Sequence, residues 1–262
     1  MKKNLLAVCT FVVLFLFVMG SPVQAESVEG ERLESGIYYI HPGNAPDKVI
    51  DIYQGEKDNG GLAILYSKND PESENQQYAV IDMGSYYVIF ACHSGKCLDV
   101  CGGNQVDVTN IIQYDYHDGD NEKWILKDVG DGYYVVSAYY DKNMCWDIYQ
   151  ASDQNGIPLT ICSYNGGLNQ KFSFERVDKI QMGPTLKEMR VSDVDKSYVR
   201  RLVESKYSVK FKLRNCKHTT ERQWYVVVDN SATTHVLGVN LCNKCGEVLD
   251  YIDQMIPTGD PK

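Results

Sequence analysis

The sequence predicts a mainly β protein built as a three-fold internal repeat, followed by a smaller α+β domain. Asp51, Asp99 and Asp147 stand 48 residues apart in matching surroundings. Short runs of β character alternate with Gly- and Asn-containing turns from Gly36 to Phe174. Beyond Val177 this pattern stops and a different one begins.

Each repeat opens with one strand and then reaches its aspartate in a second. Gly36-Ile37-Tyr38-Tyr39-Ile40 precedes Val49-Ile50-Asp51-Ile52, Tyr86-Tyr87-Val88-Ile89 precedes Cys97-Leu98-Asp99-Val100, and Gly132-Tyr133-Tyr134-Val135-Val136 precedes Cys145-Trp146-Asp147-Ile148. A polar loop (Gly60-Gly61, Gly102-Gly103-Asn104, Asn155-Gly156) leads to an apolar run: Leu62 to Tyr66, Ile111 to Tyr114, Leu159 to Cys162. A closing element then reads Asn75-Gln76-x-Tyr78, Asn121-Glu122-x-Trp124 and Asn169-Gln170-x-Phe172, and runs into a fourth strand. No single repeat can bury its apolar face alone. Three four-stranded units closing on one another leave no open sheet edge, with the closing aromatics in a shared core. The expected fold is a β-trefoil over residues 26–177.

Over residues 33–177 the chain resembles the ricin B-type lectin family, whose three repeats each end in a Gln-x-Trp element. Here that element reads Gln76-x-Tyr78, Glu122-x-Trp124 and Gln170-x-Phe172. The resemblance implies a shallow sugar pocket on each repeat, in which an aspartate accepts from sugar hydroxyls and an aromatic ring covers the apolar sugar face. The Asn before the closing element adds further bonds. Sugars suit such a pocket because their rims are polar and their faces carry C–H groups. Carried over, the first pocket is Asp51, Tyr66 and Asn75 with Gln76 as support. The second is Asp99, Tyr114 and Asn121 with Glu122. The third is Asp147, Asn169 and Gln170, where Cys162 stands at the aromatic position and Tyr164 is the nearby ring. Galactose-binding members often carry Gln at the positions held here by Ile64, Ile112 and Thr160, so galactose itself is not implied. Ricin-type domains frequently accompany a hydrolase or toxin subunit, which makes a toxin-associated subunit or a scaffold without sugar binding the alternative reading.

The N-terminus sets the expected compartment. Met1-Lys2-Lys3, the apolar run from Leu5 to Met19, and small residues Val23 and Ala25 read as a secretory signal peptide, residues 1–25, cleaved near Ala25. The run is short for the ~20 residues of a membrane span. The expectation is a secreted bacterial protein with no membrane span after cleavage. After loss of Lys2 and Lys3, 24 Lys and Arg face 35 acids, a net charge of −11. So acidic a surface repels phosphate backbones and makes nucleic acid an unsuitable partner.

Residues 178–192, with Gly183-Pro184, read as a linker, and 193–262 as the second domain. Ser192-x-x-Asp195 resembles a capping box ahead of a short helix over 193–205. Strands are expected at Tyr207 to Leu213, Trp224 to Val228 and His235 to Leu241. Cys216-x-His218 and Cys242-x-x-Cys245 flank the latter hairpin in the arrangement of a zinc ribbon, with four ligands and a closed, structural zinc. The competing reading is disulfides, since the mature chain has eight cysteines, an even number, and exported proteins oxidise them. This domain is also the candidate surface for a protein partner.

No catalytic constellation stands out: there is no Gly-x-Ser-x-Gly, no His-Glu-x-x-His and no phosphate loop. His41, His93 and His117 read as surface loop residues. The functional expectation is a non-catalytic protein whose partner is a carbohydrate or glycoconjugate.

Overall fold

The computed structural model describes residues 32–179, 181–182, 195, 198–199, 202–203, 220–229, 233–242 and 248–257. The signal-peptide residues lie outside this set. So do Cys216, His218 and Cys245 of the expected zinc site and the expected strand at Tyr207 to Leu213.

Three repeats of four strands form the first domain. Repeat one holds β1 (Gly36–Pro42), β2 (Lys48–Ile52), β3 (Ala63–Ser67) and β4 (Tyr78–Asp82). Repeat two holds β5 (Tyr87–Ala91), β6 (Cys97–Val100), β7 (Thr109–Tyr114) and β8 (Trp124–Asp128). Repeat three holds β9 (Tyr134–Ala138), β10 (Asp141–Ile148), β11 (Ile157–Ser163) and β12 (Phe172–Lys179). All twelve belong to one sheet, in which β1 pairs with both β4 and β12 and so joins the first repeat to the last.

The 48-residue register survives at the level of single pairs. Asp51 faces Ile64, Asp99 faces Ile112 and Asp147 faces Thr160 in the antiparallel hairpins β2–β3, β6–β7 and β10–β11. Strand alternation sends the neighbours of each aspartate inward. Thus Ile50, Ile52, Leu98, Val100, Trp146 and Ile148 all join the central core. The closing aromatics Tyr78, Trp124 and Phe172 are fully buried there. Trp146 bridges two of them, with ring centroids 5.2 Å from Trp124 and 5.5 Å from Phe172 in edge-on geometry. Burial of such a side chain is worth about 1.5–3 kcal/mol, so these rings anchor the three repeats to one another.

After each aspartate strand the backbone turns through the left-handed region. Gly102 and Gly103 do so freely at φ 64°, while Gln54, Gln150 and Ala151 occupy the same turn at φ 51–56°, a conformation uncommon for residues with a Cβ.

The second domain is a four-stranded sheet of β13 (Gln181–Met182), β14 (Thr220–Asp229), β15 (Thr233–Cys242) and β16 (Val248–Pro257). Gln181–Met182, within the stretch read as linker, is therefore an edge strand, pairing parallel with Tyr225 and Val226. The expected hairpin is β14–β15, and β16 adds a strand that the sequence reading lacked. Asp195 is the helix cap, its Oδ1 accepting the Tyr198 N–H at 2.7 Å, and Tyr198, Val199, Leu202 and Val203 are helical and buried.

Both faces of this sheet are covered. Tyr225, Val227, Leu237, Val239 and Leu241 pack on the four helical residues. On the other face Trp224, Val226, Val236 and Ile256 pack on Ile37, Ala79, Ile81, Val88, Phe90 and Cys92 of the trefoil. Gln254 donates to the Gly95 carbonyl at 2.9 Å, and Gly95 (φ 72°) lies so close that a Cβ there would meet Ile252 Cδ1 at 2.5 Å. This is more than the isolated hairpin of a zinc ribbon. Its core comes from two apolar faces, so a metal staple is not needed to explain why these strands hold together. Among the described residues, no helix is long and apolar enough to cross a membrane.

Candidate functional site

The aspartates of the three repeats sit at the same place and are held in nearly the same way. In repeat one, Asp51 Oδ2 accepts from Asn75 Nδ2 at 3.0 Å and Gln76 Nε2 at 2.8 Å. Gln76 Nε2 also donates to the Ser67 carbonyl at 2.9 Å, and its Oε1 accepts the Asn69 N–H at 2.8 Å. Repeat three repeats this network. Asp147 Oδ2 accepts from Asn169 at 2.9 Å and Gln170 at 2.8 Å, and Gln170 bonds the Ser163 carbonyl (3.1 Å) and the Asn165 N–H (2.7 Å). In both repeats Oδ2 is fixed and Oδ1 receives no donor from the described residues, which leaves it for a ligand.

Repeat two departs at Glu122. Asn121 still donates to Asp99 Oδ2, at 2.6 Å, but a glutamate has no amide to bond Asp99. Glu122 instead accepts the backbone N–H groups of His117 (3.0 Å) and Gly119 (3.1 Å), and its Oε1 lies 2.8 Å from His117 Nδ1. Burial pushes Asp51 and Asp99 up to about 6 and raises Asp147, each against the lowering effect of its amide partners. Burial also raises Glu122.

The rings differ as well. Tyr66 (39% exposed) and Tyr114 (41%) are accessible and stand across the hairpin from Val49 and Cys97. In repeat three the equivalent pair is Cys145 and Cys162, so the Cys162 thiol stands where the other repeats present a ring. Tyr164 lies past the end of β11 and is exposed. Repeat one is the most complete. Asp51, Tyr53, Gln54, Tyr66, Ser73 and Asn75 line a cleft of about 470 Å³.

Of the other expected residues, Cys242 is buried at the end of β15, opposite Thr220, while its three proposed zinc partners lie outside the described residues. Cys92, Cys97, Cys101, Cys145 and Cys162 of the trefoil are free thiols. The histidines are not uniformly surface residues. His93 is buried against the Glu56 carbonyl at 2.6 Å, and His41 pairs with Glu175. Two residues missed from the sequence are Tyr53, in the wall of the first cleft, and His117, at the second pocket. His117 was findable, since it holds the repeat position of Asn69 and Asn165.

Comparison with known proteins agrees with this architecture. Residues 74–162 match the family model of the ricin-type β-trefoil lectin domain-like proteins. The designed three-fold symmetric protein ThreeFoil is 36% identical, with a TM-score of 0.52 over 54% of this chain and 99% of its own. An exo-β-1,3-galactanase from Clostridium thermocellum is 30% identical with a TM-score of 0.51, over 56% of this chain but 31% of the enzyme. A mosquitocidal holotoxin, 19% identical with a TM-score of 0.51 over 56% of this chain and 18% of its own, shares the fold. No curated protein sequence matches the chain. Through its trefoil, the chain belongs to the ricin-type β-trefoil lectin domain-like family.

Proposed function

We propose that this is a secreted bacterial lectin that binds glycans without catalysis, chiefly through repeat one. The observation that carries the reading is the pocket of Asp51. One carboxylate oxygen is locked by two amides, the other has no donor among the described residues, and Tyr66 stands beside it in a cleft of about 470 Å³. A rigid acceptor next to a ring matches a pyranose with a polar rim and an apolar face. Asp99 with Tyr114 and Asn121 is the second such pocket. Asp147 with Asn169 is the third, and it lacks the ring on its hairpin. Several shallow pockets on one module favour multivalent attachment to a host surface, mucus or polysaccharide. A structural zinc at Cys216, His218, Cys242 and Cys245 remains part of the proposal, supported by Thr220 and Cys242 facing each other at the foot of the hairpin.

The second reading is a scaffold. It is favoured by the Asn and Gln amides, which all bond within the protein and would hold the turns even without sugar. The second domain would then carry the protein partner. A glycan array probed with the mature protein separates the two. The expected result is sugar-competable signal on one glycan class, reduced at least tenfold by Asp51→Ala in a folded protein. A blank array from a folded sample favours the scaffold. Signal unchanged by Asp51→Ala, Asp99→Ala and Asp147→Ala together would exclude these pockets.

A further inference from the structure

Repeat two contains a cluster that the other repeats do not, and lectin activity leaves it unexplained. In repeats one and three a glutamine amide sits between the aspartate and a backbone carbonyl and donates to both. In repeat two that amide is a carboxylate oxygen. Asp99, Glu122 and the Asp115 carbonyl are all acceptors, and the donor that satisfied their counterparts is gone. Asp99 is 3% exposed and Glu122 is fully buried, so water does little to screen one carboxylate from the other. Asp99 Oδ1 receives no donor from the described residues. Into this gap comes His117, the residue that replaces Asn69 and Asn165. Its Nδ1 lies 2.8 Å from Glu122 Oε1 and 3.3 Å from the Asp115 carbonyl.

We propose that Asp99, His117 and Glu122 form a divalent cation site in the second pocket. One ligand atom from each lies within 4.8 Å of the other two. An ion at the centre of this triangle would draw the two carboxylates and the half-exposed His117 ring in to the ~2.0–2.2 Å reach of metal ligands. One imidazole with two carboxylates suits an ion that takes nitrogen and oxygen ligands together, such as Mn²⁺ or Zn²⁺. The ion replaces the missing amide electrostatically by neutralising both carboxylates. Three protein ligands leave coordination positions facing the pocket for water or a ligand hydroxyl. Glu122 is already oriented by the N–H groups of His117 and Gly119, which act as its outer supports.

Mn²⁺ is the probe of choice. Thiolate ligands select softer ions, so any cysteine site elsewhere in the chain competes little for it. Titration of the full mature chain, followed by the loss of the free-ion electron paramagnetic resonance signal, is expected to give one bound Mn²⁺ per chain. Glu122→Gln, which installs the residue of the other two repeats, and His117→Ala, at a half-exposed position, are each expected to weaken binding at least tenfold. Far-ultraviolet circular dichroism checks that both are folded. If Glu122→Gln does not fold, His117→Ala decides alone. No Mn²⁺ binding by the wild type, or equal binding by the folded variants, overturns the proposal. The readout involves no sugar, so its failure is distinct from a failure of the lectin reading.

Discussion

Repeats one and two share a backbone and a core but not a pocket. In the first, Asp51 Oδ2 is held by two amides, and Gln76 Oε1 and the Ser67 carbonyl each have a donor. In the second, one change of amide to carboxylate, Gln76 against Glu122, removes two donations and lines the same space with acceptors. The hairpin register, the closing aromatic and the apolar neighbours are unaffected. The fold is thus carried by residues facing inward, and pocket chemistry is free to vary on residues facing outward. Strand alternation is the physical cause, because adjacent residues serve the two purposes separately.

If the repeats differ only in their pockets, truncating their closing aromatics should cost the same. Trp124→Ala and Tyr78→Ala are each expected to lower stability by about 3–5 kcal/mol, since both side chains are fully buried in the one core. Urea unfolding monitored by circular dichroism checks this. A large inequality would mean that the two repeats have diverged in the core too.

A smaller effect is expected in the pockets, and it runs in opposite directions. Gln76→Glu removes the donations to Asp51 and to the Ser67 carbonyl and buries a second carboxylate. It should destabilise by about 1–3 kcal/mol at pH 7. Glu122→Gln supplies the missing amide to Asp99 and should stabilise the metal-free protein by about 1 kcal/mol. The measurement is the difference in urea midpoint, taken with chelator present. Effects of the same sign would show that Glu122 is not a defect relieved by a donor.

How legible each part was depends on repetition. The trefoil could be read because the same spacing occurs three times, so weak matches at Tyr78, Trp124 and Phe172 reinforce one another. The aspartates and their amide partners were legible for the same reason. The position of His117 was legible in the same way, but its contact with Glu122 was not, because the motif does not contain it. The second domain has no repeat. Its pairing of Gln181 and Met182 with β14 joins segments more than 40 residues apart, with no local pattern to announce it. Trp224 and Val226 are strand residues on any reading, yet their packing on the trefoil follows from tertiary structure alone. The cysteine and histidine spacing pointed to a zinc beside the hairpin and carried no sign that the sheet buries both its faces.

The smallest expected effect concerns pH in the pocket of repeat one, where no ionisable ligand complicates the aspartate. Burial raises Asp51 from the ordinary 3.8 to about 6, only partly opposed by the amides of Gln76 and Asn75. The folded form therefore holds its proton more tightly than the unfolded chain does. Its contribution to stability is greatest below the unfolded value and is lost as pH rises through about 4 to 6. Glycan binding runs the other way, because only the ionised carboxylate presents Oδ1 purely as an acceptor. Affinity at repeat one should fall several-fold between pH 7.5 and pH 5, with a midpoint near 6. Calorimetric titration of the glycan identified on the array, at both pH values, tests this. The comparison sharpens if Asp147→Ala, which leaves repeat one intact, keeps the same profile and Asp51→Asn flattens it. A profile unchanged by Asp51→Asn would place the titrating group elsewhere and remove this aspartate from the binding step.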